Sequence, residues 1–520
     1  MQTQQVDKPN SYSRRRPELT PCYLIVQSTL NTFIQNREIE GRPLPEYITQ
    51  EFDAYLKCGI PAYGFIRLLC ESCKTEQITA FSCKKRGFCP SCCAKRQAEA
   101  ANHLTENVLP VAPYRQFVVS FPIPMRYWLN SNKTLFSKIH QIIIKVIHKH
   151  YVLAATNIGI KDPLPGSITF TQRWGSACNL NPHLHILCLD GVFSEVMALD
   201  GSSDVKRMKF SNVPTLTDLD TENILKAITT KVLRHLRKKG YLSPEGDVVQ
   251  NPEAEGLFKE NDSLAQVTAA SIAGKIAFGP NAGRYVTRIG SGFGYGEETP
   301  LVKGTRCCSM NGFSLHANTS TNSLQRDRLY KLIEYIARGP ISNKRLQITE
   351  AGHVKLELKT PWSNGTTHLL FTKEEFLEKL AALIPPPRTH LVRWNGIFRS
   401  NSSERKLIAP KPEVKKGFQF REQQDCHTKP KNHAWSKVLA LVFKIDVTKC
   451  GHCEGKLKAV AAIQDREEIT RYLKHQGIDH EAPARAPPRY KQQSLEFDHN
   501  NEDHSPKDSS EDDTYINENE

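Results

Sequence analysis

The chain has 520 residues, with 70 Lys and Arg against 55 Asp and Glu, giving a formal net charge of +15 and a pI of about 9.1. Hydrophobic residues at 39% can fill real cores, which excludes a wholly disordered chain. No run of about 18 apolar residues exists, which excludes a membrane-spanning helix. The length predicts roughly three to four modules. Residues 491–520 carry −8, so the remaining body stands at +23. A body this basic favours a polyanion, nucleic acid first, although charge alone does not separate that reading from simple solubility.

Residues 1–19 are polar and basic, with Arg14, Arg15 and Arg16 in a row and no apolar signal core. They read as a disordered lead-in of a cytoplasmic protein. In that reducing compartment, fifteen cysteines read as metal ligands and core residues rather than disulfides. Residues 20–107 form the first expected domain. Helical apolar spacing over 20–58 gives way to a module over 58–97 with seven of the cysteines. Cys70-Glu-Ser-Cys73 is followed, after 15 residues, by Cys89-Pro-Ser-Cys92. Each C-x2-C lets two thiolates from one tight turn reach one ion, so Cys70, Cys73, Cys89 and Cys92 are expected to close a structural Zn²⁺ shell. Cys58 reads as a core thiol, Cys83 as a spare ligand, and Cys93 as a competitor of Cys92.

The next expected domain, 108–350, holds the β-rich runs RQFVVSFPI, GSITFTQRW and HLHILCLDGVF and a long helix at about 134–152. His183 and His185 sit at i and i+2, so on a strand both imidazoles face one way and can hold a divalent cation with open positions. Without further context the pair reads more readily as two half-buried polar residues. A basic helix, ENILKAITTKVLRHLRKKG, supplies Arg234, Arg237, Lys238 and Lys239 as DNA-contact candidates. A further helix over about 323–337 carries Leu329, Leu332, Ile333 and Ile336 at i, i+3, i+4 and i+7. Tyr335 lies on the flank of that stripe. Tyr330 lies about 140° away, on the other flank, so the two phenols are not expected to serve one site.

Residues 351–400 read as an extension with strands HVKLELKT and THLLF and the helix KEEFLEKLAALI. Residues 401–433 read as a basic linker. Residues 434–475 read as a small module around Cys450-Gly-His-Cys453. Its missing ligands stay open between Cys426 with His427, His452, a second subunit, and no metal at all. Residues 476–520 read as a disordered acidic tail.

These stretches together resemble a known family. FSCKKRGFCPSC, TFTQRWGSACNLNPHLHILCLDGVF, MNGFSLHANT, LYKLIEYIARGPISNKRL, IPPPRTHLVRWNGIF and VFKIDVTKCGHCEGKLKAVAAI are similar to blocks of bacterial rolling-circle insertion-sequence transposases. Those enzymes carry a His-hydrophobe-His (HUH) nuclease. The resemblance runs from about residue 20 to 475 and is closest to the single-tyrosine branch, because Lys331 stands where the two-tyrosine branch has its first tyrosine. It implies an α+β fold, an antiparallel-sheet nuclease core flanked by helices, with a small N-terminal zinc-binding module. It implies Mg²⁺ or Mn²⁺ on His183 and His185, with Gln172 as third ligand and His316 as its rival. It implies Tyr335 as nucleophile; the basic side chains of Arg338, Lys344 and Arg345 are candidates to steady the DNA backbone. The expected activity is nicking and rejoining of single-stranded element ends through a 5′-phosphotyrosine, by a nucleoid-associated protein. The alternatives are a plasmid or phage replication initiator and a non-enzymatic zinc regulator of DNA.

Overall fold

The computed structural model describes residues 15–196, 207–249, 261–289, 304–362, 364–410, 450, 452–453 and 455–489. Most of the expected lead-in, linker and acidic tail, together with Cys426 and His427, lies outside the described residues. The chain opens with helices α1 (Pro21–Ile39) and α2 (Glu46–Lys57), a hairpin of β1 (Phe65–Cys70) and β2 (Glu76–Ala80), and α3 (Pro90–His103). Pro90 sits at the first position of α3, where a missing N–H costs nothing. Then come β3 (Tyr114–Ser120), α4 (Ile123–Ser131), α5 (Lys133–Asn157), β4 (Gly166–Trp174), β5 (Leu180–Leu189), the ribbon β6 (Gly191–Val196) with β7 (Arg207–Asn212), and α6 (Asp218–Lys238). Next follow α7 (Asp262–Ile272), β8 (Thr287–Ile289), β9 (Cys307–Met310), β10 (Phe313–His316), β11 (Ser320–Thr321) and α8 (Arg326–Ile336). The described residues end with β12 (Leu346–Ile348), β13 (Val354–Glu357), β14 (His368–Phe371), α9 (Lys373–Leu383), β15 (Val392–Gly396), β16 (Leu457–Ile463) and α10 (Arg466–His475). Capping boxes start α6 at Thr217 with Asp220 and α9 at Thr372 with Glu375, satisfying backbone donors that a helix start leaves free.

The central sheet is antiparallel, in the order β15-β4-β5-β3-β10-β9, with β11 also pairing β3. Its strand β5 is apolar on both faces, which only a covered central strand can be. Leu184, Ile186 and Cys188 pack with Phe117 and Val119 beneath α5 and α6. Leu187 and Leu189 pack on the other side with Tyr114, Ile168 and the α8 residues Leu329, Ile333 and Ile336. The fold is thus α+β, an antiparallel sheet between helical layers, with cysteine clusters beside it. Among the described residues, no helix is long and apolar enough to cross a membrane.

Polar links fix the helices to the sheet. Arg115 on β3 donates to both carboxylate oxygens of Asp190 at 3.0 and 2.7 Å, and Tyr151 of α5 donates to the same group at 2.9 Å. His140 and His148 of α5 bond Thr169 and Ser167 of β4, each at 2.9 Å. Burial pushes their pKa values down to about 3 and about 4, helped by Arg393 near His140 and Arg399 near His148. The folded values lie below the unfolded one of about 6.5, so the unfolded chain takes up protons first as pH falls. Their contribution to stability is full above about pH 6.5 and declines from there down to about pH 3. Urea midpoints should fall over that window, and His140→Asn/His148→Asn should make the fall shallower; an unchanged slope would refute the assignment.

Two expected boundaries change. β15 pairs β4 along Val392–Gly396, so part of the 351–400 extension belongs to the central sheet. β16 pairs β1, so the described part of 434–475 is not a separate module but completes the sheet β16-β1-β2. The physical reason is burial: a two-stranded hairpin is marginal alone, and Ile469 and Leu473 of α10 cover Phe65 and Ile78. The expected tail also begins docked. Gln27 and Asn31 of α1 donate to the carbonyls of Ala484 and Ala486 at 2.7 and 2.8 Å, and Arg485 pairs with Asp53 at 2.6 Å.

Candidate active site

On β5 the two histidines point to the face that carries α3 and α8. Their Nε2 atoms stand 3.1 Å apart. His183 Nδ1 lies 2.7 Å from the carbonyl of Asn181. A carbonyl only accepts, so this nitrogen carries the proton and His183 Nε2 keeps its lone pair. His185 Nδ1 lies 2.6 Å from Nε2 of Gln116 on β3. A side-chain amide nitrogen only donates, so His185 carries its proton on Nε2, between the two rings. Burial holds the pKa of His183 down to about 4 and that of His185 down to about 2, with His183 and Arg338 adding to the second. Both rings are therefore neutral, the form that ligates metals.

Gln172 on β4 lies directly opposite His183 in the strand register. It is buried, and its Nε2 donates to the carbonyl of Ile336 at 2.6 Å, tying the end of α8 to the sheet. Its Oε1 is buried with no hydrogen-bond partner among the described residues. An orphaned acceptor costs about 1–3 kcal/mol, and here it belongs to the residue facing the imidazole pair. Two neutral imidazoles and one amide oxygen are a mixed nitrogen and oxygen donor set of the kind that a divalent cation accepts. His316 pairs Val118, which in turn pairs His185, so His316 stands two strands from β5. Gln172 stands on the adjacent strand.

Tyr335 projects from α8 with 41% of its surface exposed. Its ring centroid lies 6.5 Å from that of His185, edge to face. Lys359, just past β13, donates to its hydroxyl at 3.3 Å and sits 4.4 Å from the ring centre. The Arg338 guanidinium lies over the same ring at 4.5 Å. Tyr330 instead packs against the apolar layer of Leu329 and Ile333, and burial raises its pKa. A cleft beside Gln172 is lined by Arg86, Arg96, Trp174 and Arg338.

The structure does not bring Arg234, Arg237, Lys238 and Lys239 to this place. They close α6, which packs on the sheet face opposite the histidines. Gln116 and Lys359 escaped the sequence reading. Gln116 left one trace, a polar residue at a buried position in an apolar run; Lys359 left none.

The cysteine grouping needs correction. Cys70, Cys73, Cys89 and Cys92 do not gather round one point. Cys89 and Cys92 join Cys58 and Cys83, while Cys70 and Cys73 join Cys450 and Cys453. In the first cluster, Cys92 Sγ stands 3.6 Å from Cys58 and 3.4 Å from Cys83, and Cys58 stands 3.7 Å from Cys89. The reason is the hairpin. The turn carrying Cys70 and Cys73 closes one end of β1-β2, whereas Cys58 and Cys83 flank the other. A strand of this length separates the ends by roughly 15–20 Å. Hydrogen bonds from Cys58, Cys83 and Cys89 hold the Cys92 thiol well below its ordinary value. Cys93 faces Gly87 and Gly339 instead of the cluster.

Two family models match the chain. Residues 166–406 match one described as "Putative transposase", and residues 25–121 match one described as "Transposase zinc-binding domain". The first match spans β4, the histidine pair, α8 and β15. The second spans both N-terminal C-x2-C turns, Cys58 and Cys83. Comparison with curated proteins and with solved structures gives no match.

Proposed function

From a transposase domain joined to a zinc-binding domain, we propose that this protein cuts and rejoins single-stranded DNA through Tyr335, moving an element by a rolling-circle route. The observation that carries this is the placement of an exposed tyrosine beside a neutral imidazole pair, with Lys359 at its hydroxyl. Tyr335 Oη attacks the phosphorus and the bond to the 3′ oxygen breaks. The phenol proton passes to solvent, and the leaving oxygen takes up a proton to become a 3′-OH. The 5′-phosphotyrosine keeps the bond energy, so attack by a 3′-OH rejoins the strand. His183 Nε2, His185 Nε2 and Gln172 Oε1 would hold Mg²⁺ or Mn²⁺, which supplies Lewis-acid stabilisation of charge on the phosphate. Ligation asks Gln116 to turn its amide oxygen toward His185 Nδ1, freeing the Nε2 lone pair. Arg86, Arg96 and Arg338 would take phosphates along the cleft, and Trp174 offers a base-stacking face.

The test is nicking of a labelled single strand carrying an end of the element that surrounds the gene. Wild-type protein should cleave with Mg²⁺ or Mn²⁺, and His183→Ala or His185→Ala should reduce cleavage to background while leaving DNA binding largely intact. Undiminished cleavage in excess EDTA would overturn the metal assignment. Lys359→Ala should slow nicking by about 10- to 100-fold, because it removes one charged donor at the reacting oxygen. Lys359→Arg should keep most of the rate. Equal rates for Lys359→Ala and wild type would remove Lys359 from the mechanism.

A further inference from the structure

We propose that Cys70, Cys73, Cys450 and Cys453 bind a second structural Zn²⁺, and that this ion clasps the C-terminal segment onto the N-terminal hairpin. The four Sγ atoms lie within 4.8 Å of one another. Cys70 stands 3.5 Å from Cys453, and Cys73 stands 3.6 Å from Cys450. A disulfide needs about 2.05 Å. Four thiolates at about 2.3 Å from one zinc stand about 3.8 Å apart, close to what is found. The four thiols are all free.

The backbone has the form that such a shell requires. In the first turn Lys74 takes a positive φ of 59° and its N–H returns to the carbonyl of Cys70 at 3.1 Å. In the second turn the N–H of His452 points at Cys450 Sγ at 3.4 Å, and the N–H of Cys450 returns to the carbonyl of Gly455 at 2.7 Å. The two turns are also joined, since Glu71 donates to the carbonyl of Lys456 at 3.0 Å. Gly455 is held there by closeness: a Cβ would stand 2.5 Å from Ser72 Oγ and 3.0 Å from Cys70 Sγ.

Along β16 itself burial is slight, and the apolar contact of this segment comes from α10, where Ile469 and Leu473 cover Phe65 and Ile78. Five of the strand's seven residues are exposed, and Val460 is 50% exposed. Among the described residues, the apolar cluster at the turns consists of Cys70, Cys450 and Leu457, with Leu68 and Cys73 against it. Yet the paired ligands are 377 and 383 residues apart in sequence. A bond that closes so long a loop removes much freedom from the open chain. At the turns the ion supplies a tether that the sparse apolar contact there does not. Neither family match reaches Cys450 or Cys453, and the proposal does not depend on the cleavage chemistry.

The test uses the full chain, dialysed against excess Mg²⁺ to clear the histidine site, with zinc released by an organomercurial. Wild-type protein should release about two zinc ions per chain. Cys450→Ser/Cys453→Ser should release about one. In that variant, amide exchange over residues 457–475 should accelerate at least about tenfold, while residues 90–103 keep their protection. Cys450→His, which keeps a fourth ligand, should restore both ions and the protection. One zinc per wild-type chain, or two in the double serine variant, would overturn the proposal. So would two zinc ions with unchanged exchange over 457–475 after loss of the thiols.

Discussion

Tyr335→Phe should leave the protein folded and eliminate the denaturation-resistant adduct with DNA. The side chain is 41% exposed, so the change opens no cavity, and the ring stays beneath Arg338. Only the oxygen is lost, with its bond from Lys359. No other described tyrosine hydroxyl is placed beside His185 among the ring contacts, so the phosphorus loses its nucleophile. Tyr330→Phe removes a hydroxyl from the flank packed on the apolar layer and should change adduct formation less than about twofold. A denaturing gel with a labelled single strand reads both variants. Adduct formed by Tyr335→Phe would refute the assignment. Loss of adduct in both variants would point to a two-tyrosine mechanism.

Cys89→Ser should abolish zinc binding at the first cluster and with it most of the soluble protein. Cys89 is 1% exposed and packs in the same core as Phe52, Tyr55 and Phe88. It also stands at the N-cap of α3, so the cluster fixes where that helix starts. Structural zinc contributes about 10–16 kcal/mol of apparent binding energy in small zinc domains, comparable with the whole stability of a typical domain, about 5–15 kcal/mol. A three-thiol remnant is therefore expected to leave the N-terminal core unfolded. Cys93→Ser is the control. Its thiol lies against Gly87 and Gly339 and should keep the zinc. Soluble yield and zinc content measure both variants; folded Cys89→Ser protein with its full zinc would refute the cluster as a structural site.

Local pattern was enough for most elements. The expected helix over 323–337 is found as Arg326–Ile336, and GSITFTQRW is a strand over its whole length. Apolar spacing at 3.6 or 2 residues is a property of neighbours in sequence, so it needs no knowledge of the rest of the chain. The same arithmetic put His183 and His185 on one face and Tyr330 and Tyr335 on different flanks, and the structure has both arrangements. It did not extend to α6. Its basic residues gather at the last turn, but which face of the sheet a helix covers is not written in the helix itself.

What the sequence determined by itself was therefore local: individual helices and strands, the shared face of the histidine pair, and cysteine turns each able to hold half of a metal shell. What only the tertiary structure decided was which halves meet. Cys70-x2-Cys73 and Cys89-x2-Cys92 have a spacing that suits one ion, yet a rigid hairpin holds them at its two ends. Cys450 and Cys453 complete the distant half because β16 pairs β1 across nearly the whole chain. Lys359 reaches Tyr335 over a shorter span, from just past the end of β13. A pair's geometry within a few residues is fixed by backbone dihedrals, whereas contacts across hundreds of residues depend on which surfaces can be buried together.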